Sequence, residues 1–122
     1  MHLRHLGLPV RDQRRSLDFY TRYFEFDPAT ARTFPDETVI VSDGDRFDLA
    51  LHATAEAPAP VGFLHFGFAM PNADAVRDMQ TRLQADGVAI VEQDEEPGHV
   101  SFKCLDPDGW RIEVYWEADP QR

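Results

Sequence analysis

The sequence predicts an α+β protein of two βαβββ modules that form a curved mixed sheet, with helices outside and a concave cleft inside. Three observations point there. His5-Leu6-Gly7-Leu8 returns as His65-Phe66-Gly67-Phe68, an offset of 60 residues (65 − 5) in a chain of 122. Seven positions after each histidine stands a helix-capping residue, Asp12 and then Asn72. Each half then reads strand, helix, strand, strand, strand. One such unit leaves a sheet face uncovered, so two units joined side by side are the expected solution.

In the first module, residues 1–54, Leu3 to Val10 alternates around His5 as a strand does. Asp12 opens a helix to Phe24 with Leu17, Tyr20 and Phe24 at three-to-four-residue spacing. Strands follow at 27–33, 37–42 and 46–53, the last two joined by the turn Asp43-Gly44-Asp45. Residues 55–61, rich in Ala and Pro, are the expected linker. The second module, residues 62–117, carries a strand at 62–70 and a helix at 73–86 with Val76, Met79 and Leu83 on one face. Gly87 stands where a helix-terminating glycine belongs. Strands at 88–94, 99–105 and 110–116 complete it, with Asp106-Pro107-Asp108-Gly109 as the final turn, and residues 118–122 form a tail. The whole is expected to be one domain.

Composition narrows the function. Hydrophobic residues make up 43%, with nine Phe, enough for a true core. A formal net charge of −10 disfavours nucleic acid and anionic membrane surfaces. Cys104 is the only cysteine, so no intrachain disulfide forms; it is expected as a small core residue. No charged-then-apolar leader opens the chain and no apolar run is long enough to span a bilayer, so a cytoplasmic location is expected. The acidic stretches at 92–96 and 43–48 read as solvated turns.

Strand alternation separates two faces. Leu6, Leu8 and Val10 make one face of the first strand, and His5, Gly7 and Pro9 the other. In the strand at 62–70, Leu64, Phe66, Phe68 and Met70 oppose His65, Gly67 and Ala69. With the apolar faces under the helices, both histidines point into the cleft, each beside a glycine expected to leave room for a ligand. The last strand turns Trp110, Ile112, Val114 and Trp116 inward and Arg111, Glu113 and Tyr115 toward the cleft. A carboxylate there is costly unless paired or bound to a cation. Glu113 is thus the natural third partner of His5 and His65, a two-histidine, one-carboxylate set suited to iron(II), with manganese, zinc or nickel as other occupants. The rival reading pairs Glu113 with Arg111 or Lys103. Those two cations could hold an anionic group of a substrate. Tyr115 and His99 are acid–base candidates, set against a plain role in the cleft wall. Phe47, Phe63 and His52 are candidate substrate contacts, the phenylalanines by stacking. Aligning 47–52 with 110–115 puts Ala50 where a second carboxylate would complete a symmetric site, an offset of 63 (113 − 50).

The opening His5-Leu6-Gly7-Leu8-Pro9-Val10-Arg11-Asp12 with Ser16-Leu17-Asp18-Phe19-Tyr20, and the ending from Asp106 to Val114, resemble the vicinal oxygen chelate superfamily of glyoxalases, bleomycin-resistance proteins, fosfomycin-resistance transferases and extradiol dioxygenases. The resemblance implies a glyoxalase-like fold over nearly the whole chain, a divalent metal on His5, His65 and Glu113, and a small organic substrate chelated through vicinal oxygens. It implies lyase, dioxygenase or transferase chemistry. Glyoxalase I is disfavoured, because Ala50 stands near that enzyme's fourth ligand, a glutamate that shuttles protons. A homodimer is also implied, sometimes with the first histidine crossing to the partner chain. The alternatives are a protein of the bleomycin-resistance type that sequesters an antibiotic or metabolite without turnover, and a partner-binding domain that keeps only the fold.

Overall fold

The computed structural model describes residues 1–119; residues 120–122 of the expected tail lie outside the described residues. The chain divides into two compact units, Met1–Ala59 and Pro60–Arg122.

The first unit runs β1 (His5–Val10), α1 (Gln13–Tyr23), β2 (Asp27–Thr33), β3 (Val39–Ser42) and β4 (Asp48–Ala53). Its four strands make one mixed sheet in the order β1-β4-β3-β2, with β1 and β4 parallel. Asp12 caps α1 by accepting from the Arg15 amide at 3.0 Å. The helix ends at Phe24, and Glu25 follows with φ +63°. The core gathers where the apolar stripe of α1 meets the inner face of the sheet. Tyr20, Val10, Val41, Leu49 and Leu51 are fully buried there. Tyr20 meets Phe26 edge-on with ring centroids 6.2 Å apart. Truncating Leu51 to Ala there is worth about 2–5 kcal/mol.

The second unit repeats the plan with β5 (His65–Ala69), α2 (Ala73–Ala85), β6 (Ile90–Glu96), β7 (His99–Leu105) and β8 (Arg111–Glu117). The sheet order is β5-β8-β7-β6, with β5 and β8 parallel. Asn72 caps α2 through the Ala75 amide at 2.8 Å, and Gly87 follows the helix with φ +82°. Val76 and Leu83 of α2 pack with Phe102, Cys104, Ile112 and Val114 as the buried core. Both expected βαβββ modules are thus present.

Their registers coincide. Gly7 pairs with Ala50 across β1 and β4, and Gly67 pairs with Glu113 across β5 and β8. The turns into β4 and β8 also match at the same offset of 63. Asp43 Oδ1 accepts from the amides of Asp45 and Phe47, as Asp106 Oδ1 does from Asp108 and Trp110. Ala50 therefore occupies the position of Glu113 in the repeat.

Three expectations are corrected. Residues 92–96 are not a turn but the outer half of β6, an exposed strand hydrogen-bonded only to β7. An edge strand needs no apolar face, and charge protects it from pairing with other chains. The first strands of both modules start later than alternation suggested, at His5 and His65, where the register with β4 and β8 begins. In the stretch at 43–48, Asp48 is not in a turn but opens β4, where it accepts from Ser42 Oγ at 2.5 Å.

Candidate functional site

The outward face of the second sheet is built by alternation. β8 presents Arg111, Glu113 and Tyr115 between the buried Ile112 and Val114. His65 and Gly67 lie on the neighbouring strand, in register with Arg111 and Glu113. The structure brings His65 and Glu113 together, with Nε2 3.5 Å from Oε2 and side chains 34% and 26% exposed. That gap is too long for a charge-assisted hydrogen bond, which closes to about 2.7–2.9 Å. Two donors each about 2.1 Å from one ion stand roughly 3.0–3.4 Å apart, so the spacing suits a shared cation.

The ring is also oriented for it. His65 Nδ1 lies 2.6 Å from the carbonyl oxygen of Phe63. A carbonyl only accepts, so Nδ1 carries a proton, and in the neutral ring the Nε2 lone pair is left toward Glu113. Metal-binding histidines are commonly held in this way by a backbone carbonyl. Among the described residues, no third histidine, cysteine or carboxylate gathers with such a pair into a set of three. His5 is exposed on β1 of the other unit, on the same face as Gly7.

The remaining candidates separate. Tyr115 lies two residues from Glu113 on its face, and its ring covers Gly67: a Cβ added there would meet Tyr115 Cε1 at 3.2 Å. In the first unit His52 covers Gly7 likewise, with Nε2 at 3.2 Å from such a Cβ. The expectation that these glycines leave room for a ligand is corrected, because a ring from the last strand of each module takes the space. His99 is four residues along β7 from Lys103, the residue paired with Glu113, which is about 13 Å of strand. Its Nε2 lies 3.1 Å from Ser101 Oγ and 4.0 Å from Asp94.

Lys103 forms an ion pair with Glu92 at 2.6 Å, and this hydrogen bond with the charge behind it lowers the Glu92 carboxyl below its ordinary range. Arg111 donates to the Gly62 carbonyl. Glu113 therefore faces His65 rather than either cation. Phe47, expected against a ligand, sits on the core side with its ring 6.4 Å from that of the buried Phe26. Phe63 is 91% exposed. Cys104 is fully buried on the helix side, and burial pushes its thiol up to about 12.

Sequence reasoning missed Glu92, Thr38 and Asp36. A bulge between Ile90 and Glu92 puts Glu92, not Val91, opposite Lys103. Nothing in the local sequence announces that slip. Thr38 lies 3.3 Å from His52 Nδ1.

The sequence matches the family described as the Glyoxalase/Bleomycin resistance protein/Dioxygenase superfamily over residues 2–114. The chain belongs to this superfamily. No curated protein matches it. A possible glyoxalase from Bacillus cereus is 28% identical, with a TM-score of 0.77, over 93% of this chain and 97% of that one. The lactoylglutathione lyase of Agrobacterium tumefaciens is 23% identical, with a TM-score of 0.73, over 93% and 92%. A mutant of the fosfomycin resistance protein FosX from Listeria monocytogenes, solved with Mn(II) and 1S,2S-dihydroxypropylphosphonic acid, reaches a TM-score of 0.81 at 16% identity, over 99% and 94%. The last two share the fold. Among the described residues, no helix is long and apolar enough to cross a membrane.

Proposed function

We propose that the protein is a metal-dependent enzyme of its superfamily, a lyase, dioxygenase or transferase acting on a small organic substrate through two vicinal oxygens. The observation that carries this reading is the 3.5 Å approach of His65 Nε2 to Glu113 Oε2, with the lone pair of Nε2 set by the Phe63 carbonyl. Those two side chains would hold a divalent ion such as manganese, iron, zinc or nickel, with His5 as third ligand from the same chain or a second copy. The Mn(II) in the fosfomycin resistance structure supports a divalent metal in this fold. Bound there, the ion would act as a Lewis acid toward the substrate oxygens.

The chain's own residues supply the rest. Tyr115, beside Glu113, would donate a hydrogen bond or a proton to substrate. The Glu92–Lys103 pair sets a fixed charge distribution along the face, and Arg111 holds the segment before β5 by its bond to Gly62. Ala50 offers no carboxylate at the position matching Glu113, so the proton-shuttling glutamate of glyoxalase I has no counterpart there. The test is elemental analysis of untagged protein after loading with each metal. Stoichiometric metal in the wild type, lost in His65→Ala and in Glu113→Ala, is the expected result. Protein that never retains metal, yet binds ligand fully in chelator, would overturn it in favour of sequestration.

A further inference from the structure

We propose that the first module carries an acid–base group of its own at His52, held with its proton on Nδ1 by Thr38 and Asp36 and with the Nε2 lone pair laid over Gly7. The register makes the position meaningful. Ala50 matches Glu113, so His52 matches Tyr115, two residues further along the same strand face. Both rings cross the glycine of the first strand of their module. The second module thus has a carboxylate and a phenol on this face, and the first has an alanine and an imidazole.

The hydrogen bonds around His52 run in one direction. Its Nδ1 is 3.3 Å from Thr38 Oγ1. Thr38 is only 7% exposed, and its amide donates to Asp36 Oδ1 at 3.0 Å. The amide first and then the hydroxyl of Thr38 bind the Asp36 carboxyl and lower it from its ordinary range, so Asp36 is ionised at neutral pH. A hydroxyl has a single proton to give. Asp36 is held beside Thr38 through the Thr38 amide, and assigning the hydroxyl proton toward that carboxylate makes Oγ1 the acceptor from His52 and Nδ1 the protonated nitrogen. Nε2 then keeps its lone pair above bare backbone, and both His52 and Gly7 are exposed. Of the other charged groups on the β4 face and its neighbours, Asp48 is engaged by Ser42 at 2.5 Å and by Arg32 at 3.7 Å. A histidine with one nitrogen tethered through a hydroxyl to a carboxylate, and the other free, is arranged for proton transfer. Nε2 would take a proton from a hydroxyl or an activated C–H of the substrate, and return it to the product or to water. Thr38 and Asp36 are positioning residues in this scheme.

Its place in a reaction rests on the proposed function, but the experiment does not use the metal. The full chain, labelled with nitrogen-15, is held in chelator at about pH 8, and two-bond proton–nitrogen correlations report the tautomer of His52. The Nδ1-protonated form is expected in the wild type and in Thr38→Ser, and its loss in Thr38→Val. Diethyl pyrocarbonate, which acylates the unprotonated imidazole nitrogen, should modify His52 at least about threefold faster in the wild type and Thr38→Ser than in Thr38→Val. A wild-type His52 protonated on Nε2, or equal modification rates in wild type and Thr38→Val, would overturn the proposal. Should Thr38→Val fail to fold, the wild-type tautomer still decides. Loss of the metal reading leaves both measurements standing.

Discussion

The imidazole of His65 and the carboxylate of Glu113 face each other across adjacent parallel strands, 3.5 Å apart and partly open to solvent. A pair so exposed and so loosely spaced contributes little to folding, within about 0–1 kcal/mol. Its value lies in what it can share. Glu113→Gln keeps the shape and removes the charge. Calorimetric titration with Mn(II) or Zn(II) should show affinity falling by at least about 100-fold, while the melting temperature in chelator stays within a degree or two. Unchanged metal affinity would remove Glu113 from the site.

The two strand glycines should respond unequally to alanine. At Gly67 the new Cβ meets Tyr115 Cε1 at 3.2 Å and the Glu113 carbonyl oxygen at 3.3 Å. The second of these is backbone and cannot swing away, so Gly67→Ala should cost about 1–3 kcal/mol in denaturant unfolding. At Gly7 the only close neighbours among the described residues are atoms of the His52 side chain. Gly7→Ala should cost less than half as much, with His52 displaced. Equal costs at the two sites would contradict this account.

Left-handed backbone explains why the repeat is plainer in the structure than in the sequence. The residue after each helix has positive φ, Gly87 in the second module but Glu25 in the first. The same holds for Gly98 against Glu37 in the hairpin before the third strand, and for Gly109 against Arg46 in the last turn. Glycine takes that conformation freely, whereas an L side chain costs about 1–2 kcal/mol. Arg46→Gly should therefore stabilise the protein by about 0.5–1 kcal/mol, and Gly87→Ala should destabilise it by about 1–2 kcal/mol, both read by chemical denaturation. Among the described residues nothing lies within 4 Å of a Cβ at Gly87, so the second value measures the backbone alone.

The same residues mark what the sequence could reveal. The caps Asp12 and Asn72 and the alternation around Glu113 are local signals, and α1, α2 and β8 lie where they were expected, whereas β1 and β5 start later than the alternation around His5 and His65 suggested. Phe47 alternates with Leu49 and Leu51 and aligns with the inward Trp110, so the signal that its ring goes to Phe26 rather than to a ligand already lay in the sequence. Glu92 was missed because a bulge shifts strand register by one residue through tertiary pairing. Thr38 lies 14 residues from His52, and only the antiparallel pairing of β3 with β4 draws the two strands together.

Acid should act on the Glu92–Lys103 pair in a definite direction. Lys103 lowers the Glu92 carboxyl from its ordinary value of 4.5. A carboxyl depressed in the folded state adds stability that is complete above its unfolded value and is lost as pH falls through the folded one. Wild type should thus lose an increment of stability below about pH 4.5 that Glu92→Gln lacks, so their unfolding curves converge in acid. The difference is small because Glu92 is solvent-exposed. Curves separated by a constant amount from pH 7 to pH 3 would show that the pair is not the source.

Cys104 gives a reporter of opening in the second module. Its side chain is fully buried between the α2 side of the sheet and Ile112, and its thiol is raised to about 12. The thiolate is the reactive form, so native protein at pH 8 holds almost none of it and no path to it. Reaction with a disulfide reagent should therefore require unfolding of β7 from its neighbours, and its rate should follow the population of the open form. Urea below the global midpoint should accelerate labelling along the same slope as global unfolding. Fast labelling in native buffer, insensitive to urea, would mean that this strand opens locally and that the packing around Cys104 is looser than its burial implies.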